Sequence, residues 1–112
     1  MRLTDFLREV GPPVGYYPGL TRITGGVKET LFLCQLLYWT DREADPEGWV
    51  HKTQEEIAEE TGLSRREQES ARRSLKELGF LEEKREGCPA RLLYRVNLDA
   101  LNAAWEKAKG GE

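Results

Sequence analysis

Arg65, Arg66, Ser70, Arg73 and Ser74 fall on one side of a stretch with helical spacing, and Ser64 and Glu69 lie in the same turns. Guanidinium groups at such positions donate paired hydrogen bonds to guanine edges or phosphate oxygens, and a serine hydroxyl tolerates any base. A carboxylate such as that of Glu69 repels phosphate but accepts from a cytosine amino group. Lys84, Arg85 and Arg91, which flank a later turn, add positive charge suited to phosphates or a minor groove. Ser64, Arg65, Arg66, Glu69, Ser70, Arg73, Lys84, Arg85 and Arg91 are therefore the candidate nucleic-acid contacts.

No other chemistry is supported by the residues. His51 is the single histidine, and no nucleophile elbow or phosphate-binding glycine loop occurs. Cys34 and Cys88 lie far apart and outside any CxxC pair, whereas a zinc site takes about four nitrogen or sulfur ligands. No cofactor, metal or enzymatic reaction is expected. His51 is expected to be structural, Cys34 a buried small hydrophobe, and Cys88 a free thiol in a polar turn.

The arginines are positioned by Thr53 to Leu78, which predicts two helices around a tight turn. Thr53 with Glu56, and Ser64 with Glu67, form two capping boxes. Gly62 supplies the left-handed residue after the first helix, and Leu63 plugs the corner. Gln68, Ala71, Leu75 and Leu78 form the inward face of the second helix, which leaves the arginines outward. That is a helix-turn-helix, with the second helix able to enter a DNA groove.

Charge is divided in the same way. The net charge of −3 opposes strong nonspecific DNA binding, but it is unevenly spread. Residues 41–60 carry eight acids and two formal cations, residues 64–78 five cations and three acids, and residues 84–96 four cations and one acid. A polarised molecule is implied, basic on the second helix and on the segment C-terminal to it. The acidic run Glu55, Glu56, Glu59 and Glu60 is a solvated helix face or a docking surface for a basic partner.

The remaining elements frame this motif. Leu3, Phe6, Leu7 and Val10 have helical spacing, with Thr4 or Asp5 as cap and Gly11-Pro12-Pro13 as stop. In residues 14–26, Tyr16, Tyr17, Leu20 and Ile23 are expected to cover the core. Residues 27–42 form the main core helix, apolar nearly all round, with Trp39 extending it. Residues 43–48 form an acidic turn, and residues 49–52, 80–85 and 91–97 are strands, the last two forming a hairpin. Asn97 or Asp99 caps a final helix carrying Leu98, Leu101, Ala104, Trp105 and Ala108, which ends in a frayed Lys109-Gly110-Gly111-Glu112. This stripe either packs on the domain or pairs with a second copy.

Helix, strand, helix, turn, helix, hairpin, helix is the winged-helix order. KTQEEIAEETGLSRREQESARRSLKELGFLEEKREG resembles the motif core of bacterial winged-helix proteins, where the recognition helix runs through a sequence like Leu78-Gly79-Phe80-Leu81 into the wing. YYPGLTRITGGVKETLFLCQLLYW is similar to the opening of phage and plasmid replication-initiation or replisome-organising proteins. Gln68 departs from the pattern, because winged helices usually place an apolar residue there; it either bonds a neighbouring helix or marks a rotated α-helix.

The expected fold is α+β and mostly helical: a winged helix-turn-helix over residues 27–97 with a short three-stranded sheet. An N-terminal helix and packing arm occupy residues 1–26, and a C-terminal helix, open to dimerisation, occupies residues 98–112. The implied function is double-stranded DNA binding in phage- or plasmid-type replication initiation or transcriptional regulation. The alternative is a winged-helix docking or dimerisation module without DNA binding. Double-stranded DNA, a second copy of the chain and the replication or transcription machinery are the partners to test. No apolar run spans a bilayer, and Asp5, Arg8 and Glu9 interrupt any signal-peptide core, so a cytoplasmic protein is expected, nucleoid-associated if DNA-bound.

Overall fold

Reciprocal caps fix the centre of the chain. The Thr53 hydroxyl accepts from the Glu56 amide (3.0 Å), and the Glu56 carboxylate accepts from the Thr53 amide (3.0 Å). Ser64 and Glu67 repeat the arrangement at 3.2 and 3.0 Å. Between them Gly62 adopts φ +79°, a left-handed conformation that side-chain-bearing residues rarely take. The computed structural model describes residues 2–10 and 13–110. Gly11 and Pro12 of the expected helix stop, and Gly111 and Glu112 of the expected frayed end, lie outside the described residues, whereas Lys109 and Gly110 of that end are still helical.

In chain order the elements are α1 (Leu3–Glu9), a 3-10 turn (Pro18–Leu20) running into α2 (Thr21–Thr24), α3 (Val27–Glu43), β1 (Val50–His51), α4 (Gln54–Thr61), α5 (Arg65–Glu77), β2 (Leu81–Glu86), β3 (Arg91–Val96) and α6 (Leu98–Gly110). The strands form one antiparallel sheet in the order β1-β3-β2. Val50 faces Tyr94, and the β2–β3 hairpin runs from Leu81 opposite Val96 to Glu86 opposite Arg91. The fold is α+β and winged-helix-like, with α4 and α5 as the helix-turn-helix and β2–β3 as the wing.

The core lies between α3, the inner side of α5 and one face of the sheet. Phe32, Leu33 and Leu36 of α3 meet Ile57, Leu63, Ala71, Leu75, Phe80, Leu81, Tyr94 and Val96. The Phe32 ring stands edge-on to Tyr94 with centroids 5.8 Å apart, a favoured aromatic geometry. α5 closes with Gly79 at φ +83° and the Phe80 amide donating 3.0 Å to the Leu75 carbonyl. This Schellman-type ending turns Phe80 into the core. Leu78, expected on the inward face, is left exposed instead.

Gln68 is fully buried, and its Nε2 donates to the carbonyls of Gln54 and Leu63, each at 3.0 Å. The polar departure in the motif therefore bonds the start of α4 and the corner, and α5 keeps its arginines outward. Arg72 provides the second tie. Its Nε and Nη2 donate to the Glu83 carboxylate at 2.7 and 3.1 Å, with both side chains only 12% exposed, and Lys76 adds a third contact at 3.2 Å. α5 is thus fastened to the first wing strand.

The flanking segments differ from expectation in two places. Leu20 and Ile23 are half-buried, but Tyr16 and Tyr17 are exposed, Tyr17 at 72%. α2 brings Ile23 onto the core, and the preceding tyrosines stay outside. α1 begins at Leu3 without a side-chain cap and buries no residue. At the other end, Asn97 caps α6 by accepting from the Ala100 amide (3.0 Å), and Leu101 and Ala104 pack against the core.

Arg72→Ala should lower the unfolding free energy by about 2 kcal/mol in urea titrations, because it strands a mostly buried carboxylate that Lys76 only partly neutralises. In a double-mutant cycle with Glu83→Ala, the two costs should fall short of additivity by about 1 kcal/mol or more. Additive costs would show that this pair does not couple helix to wing.

Candidate nucleic-acid interface

The outward side of α5 is set by what its inward side buries. Gln68, Ala71 and Leu75 point into the core, so helical periodicity sends Arg66, Glu69, Ser70 and Arg73 outward, and all four are exposed. The wing alternates in the same way. Leu81, Glu83 and Arg85 of β2 share a face with Leu92, Tyr94 and Val96 of β3, and this face looks towards α5.

An open groove of about 630 Å³ runs between α5 and the wing. Arg65, Glu69, Arg72, Arg73 and Lys76 form one wall, and Arg85, Ala90, Arg91 and Leu92 form the other. The connection from His51 to Gln54 closes it. Among the residues lining the groove, the cations greatly outnumber the single acid, Glu69.

The cations are not equivalent. Arg72 and Lys76 hold Glu83, and Arg65 lies 3.5 Å from Glu69. Lys52 is almost fully buried, with its ammonium 3.4 Å from the Trp39 ring centroid and 3.4 Å from Glu60. Arg73, Arg85 and Arg91 have no acid partner among the described residues, and neither does the outward Arg66. A desolvated anion would find its donors at these uncompensated charges.

Five of the sequence-selected positions thus meet around one groove: Arg65, Glu69, Arg73, Arg85 and Arg91. Arg66 and Ser70 lie beside it on exposed turns of α5. Ser64 is the N-cap, its hydroxyl occupied by the Glu67 amide. Lys84 sits on the opposite face of the wing from Arg85, 3.3 Å from Glu86 and 4.4 Å from the Trp49 ring centroid. Strand alternation forces that separation, since consecutive side chains leave a strand on opposite faces. Lys76 and His51 line the groove although neither was selected from the sequence. Lys76 was discoverable, because it lies three and four residues after Arg73 and Arg72.

The acids of α4 are partly used inside the fold. Glu56 completes a cap and lies 3.8 Å from Lys52. Glu60 accepts from Gln35 Nε2 (2.8 Å) and Trp39 Nε1 (2.7 Å), joining α4 to α3. Only Glu55 and Glu59 of that run remain exposed without such a partner among the described residues.

Glu67 anchors the entry to α5. The Lys28 ammonium, 2.7 Å away, together with the Ser64 amide and hydroxyl, lowers its carboxyl from 4.5 to about 2. At Glu83 burial opposes ionisation, but Arg72 and then Lys76 outweigh it and leave the carboxyl below its ordinary value. Burial raises the Tyr94 hydroxyl above its ordinary value, with the neighbouring Arg72 opposing.

No family model matches the sequence, and no curated protein matches it. Among solved structures, one described as "N-Terminal domain of DNA binding protein" superposes with a TM-score of 0.59. The likeness covers 87% of this chain and 81% of that chain at 11% identity, and at that identity it is a likeness of fold.

A carboxyl whose folded value lies below its unfolded one stabilises the fold above the unfolded value and loses that contribution as pH falls towards the folded one. Thermal melts should therefore show stability declining from about pH 5 towards pH 2, in part through Glu67. Glu67→Gln should flatten part of that decline, and an equally steep decline in the variant would remove Glu67 from the account.

Proposed function

We propose that the chain binds double-stranded DNA, with α5 entering the major groove and the wing lying along the phosphate backbone. The observation that carries this reading is the convergence of Arg73, Arg85 and Arg91, each without an acid partner among the described residues, on one open groove. In this reading Arg66, Ser70 and Arg73 reach base edges, and Arg85 and Arg91 hold phosphates. The DNA-binding unit spans residues 27–97, and its role is binding, not catalysis.

Few phosphate contacts per chain give modest affinity, so a second copy on an adjacent half-site completes tight binding. The biological setting proposed is replication initiation or transcriptional regulation of the phage or plasmid type, on the resemblance of residues 16–39 and 52–87. The protein–protein docking alternative draws less support, because Glu56 and Glu60 are engaged within the fold.

Fluorescence anisotropy with a random-sequence duplex at two salt concentrations tests the assignment. Wild-type affinity should fall steeply with salt. The triple variant Arg73→Ala/Arg85→Ala/Arg91→Ala should bind far more weakly and show a log–log salt slope smaller by about two to three. Unchanged binding by the triple variant would overturn this placement of the interface.

A further inference from the structure

Glu69 is the acid of the α5–wing groove, and neither the capping of α5 nor its direct tie to the wing uses it. Capping of α5 is performed by Ser64 and Glu67, and the tie from α5 to the wing by Arg72 and Glu83. Its contact with Arg65, at 3.5 Å, joins side chains 78% and 50% exposed, where water and salt screen the attraction. The carboxylate stands between the entry to α5 and Arg73, on the wall of a groove whose other formally charged lining residues are all cations.

A carboxylate in that position weakens attraction for any polyanion, because it repels phosphate. What a duplex offers it in return is a hydrogen-bond donor on a base edge. In the major groove cytosine presents its N4 amino group with no acceptor beside it on the same base. Adenine places its N7 acceptor next to the N6 amino group, and guanine and thymine present acceptors. An acid among arginines therefore trades general affinity for discrimination.

We propose that Glu69 is a specificity-determining residue that selects cytosine at one base pair of the bound DNA. The inference rests on the DNA-binding reading of this face and adds a base identity to it.

Enrichment of duplexes from a random pool by the full chain, by Glu69→Gln and by Glu69→Ala tests it. The wild-type pool should contain one position where cytosine is favoured about tenfold over the other bases. Glu69→Ala should erase that preference and bind random duplex more tightly at low salt. Glu69→Gln should move the preference towards adenine, whose N6 and N7 match a carboxamide. A wild-type pool without a cytosine position, or a cytosine position retained in both variants, overturns the role of Glu69 while leaving DNA binding standing. Failure of the wild-type chain to retain any duplex at low salt overturns both.

Discussion

The rotation of α5 about its own axis decides which side chains this protein offers to a partner, and two polar residues on the inner side of that helix set it. Gln68 binds the carbonyls of Gln54 and Leu63, and Arg72 grips Glu83 on the first wing strand. Apolar packing alone is weakly directional, so Ala71 and Leu75 would tolerate small rotations. Hydrogen bonds with fixed partners at both the corner and the wing do not, because a buried group that loses its partner costs free energy that water cannot restore. With those ties made, Arg66, Glu69, Ser70 and Arg73 face outward.

The same logic governs charge. The chain is acidic overall, yet its groove is basic, because many acids are consumed within the fold. Glu60 and Glu56 surround the buried Lys52, Glu67 holds Lys28 and the Ser64 amide, and Glu83 holds Arg72 and Lys76. Arg73, Arg85 and Arg91 are left over at one groove. Local potential there is set by which charges find partners, a question that a net charge of −3 does not answer.

Much of the fold was legible in local chemistry. Both capping boxes, the left-handed Gly62 and the wing alternation of Leu92, Tyr94 and Val96 arise from spacings of a few residues, and the structure contains each. Expectations that depended on distant partners were less secure. Tyr16 and Tyr17 are large aromatics, but α2 delivers Ile23 to the core and leaves the tyrosines outside. Leu78 continues the apolar spacing of α5, but Gly79 turns the chain one residue later and Phe80 takes the buried place. Lys84 belongs to the same basic run as Arg85, but the pleat separates them, and Trp49 with Glu86 receives Lys84 on the far face.

The sequence by itself determined the order of the central elements, the caps of α4 and α5 and the polarity of α5, since these arise between residues close along the chain. It also brought most of the groove-lining cations into view, because basic residues cluster in α5 and the wing. Only the tertiary structure decided which of those cations are free. Arg72 and Arg73 are neighbours of identical chemistry, yet one is locked to Glu83 across eleven residues and the other stands open to the groove. That difference comes from a contact between a helix and a strand, whose relative placement is fixed by the shared core and not by either segment alone.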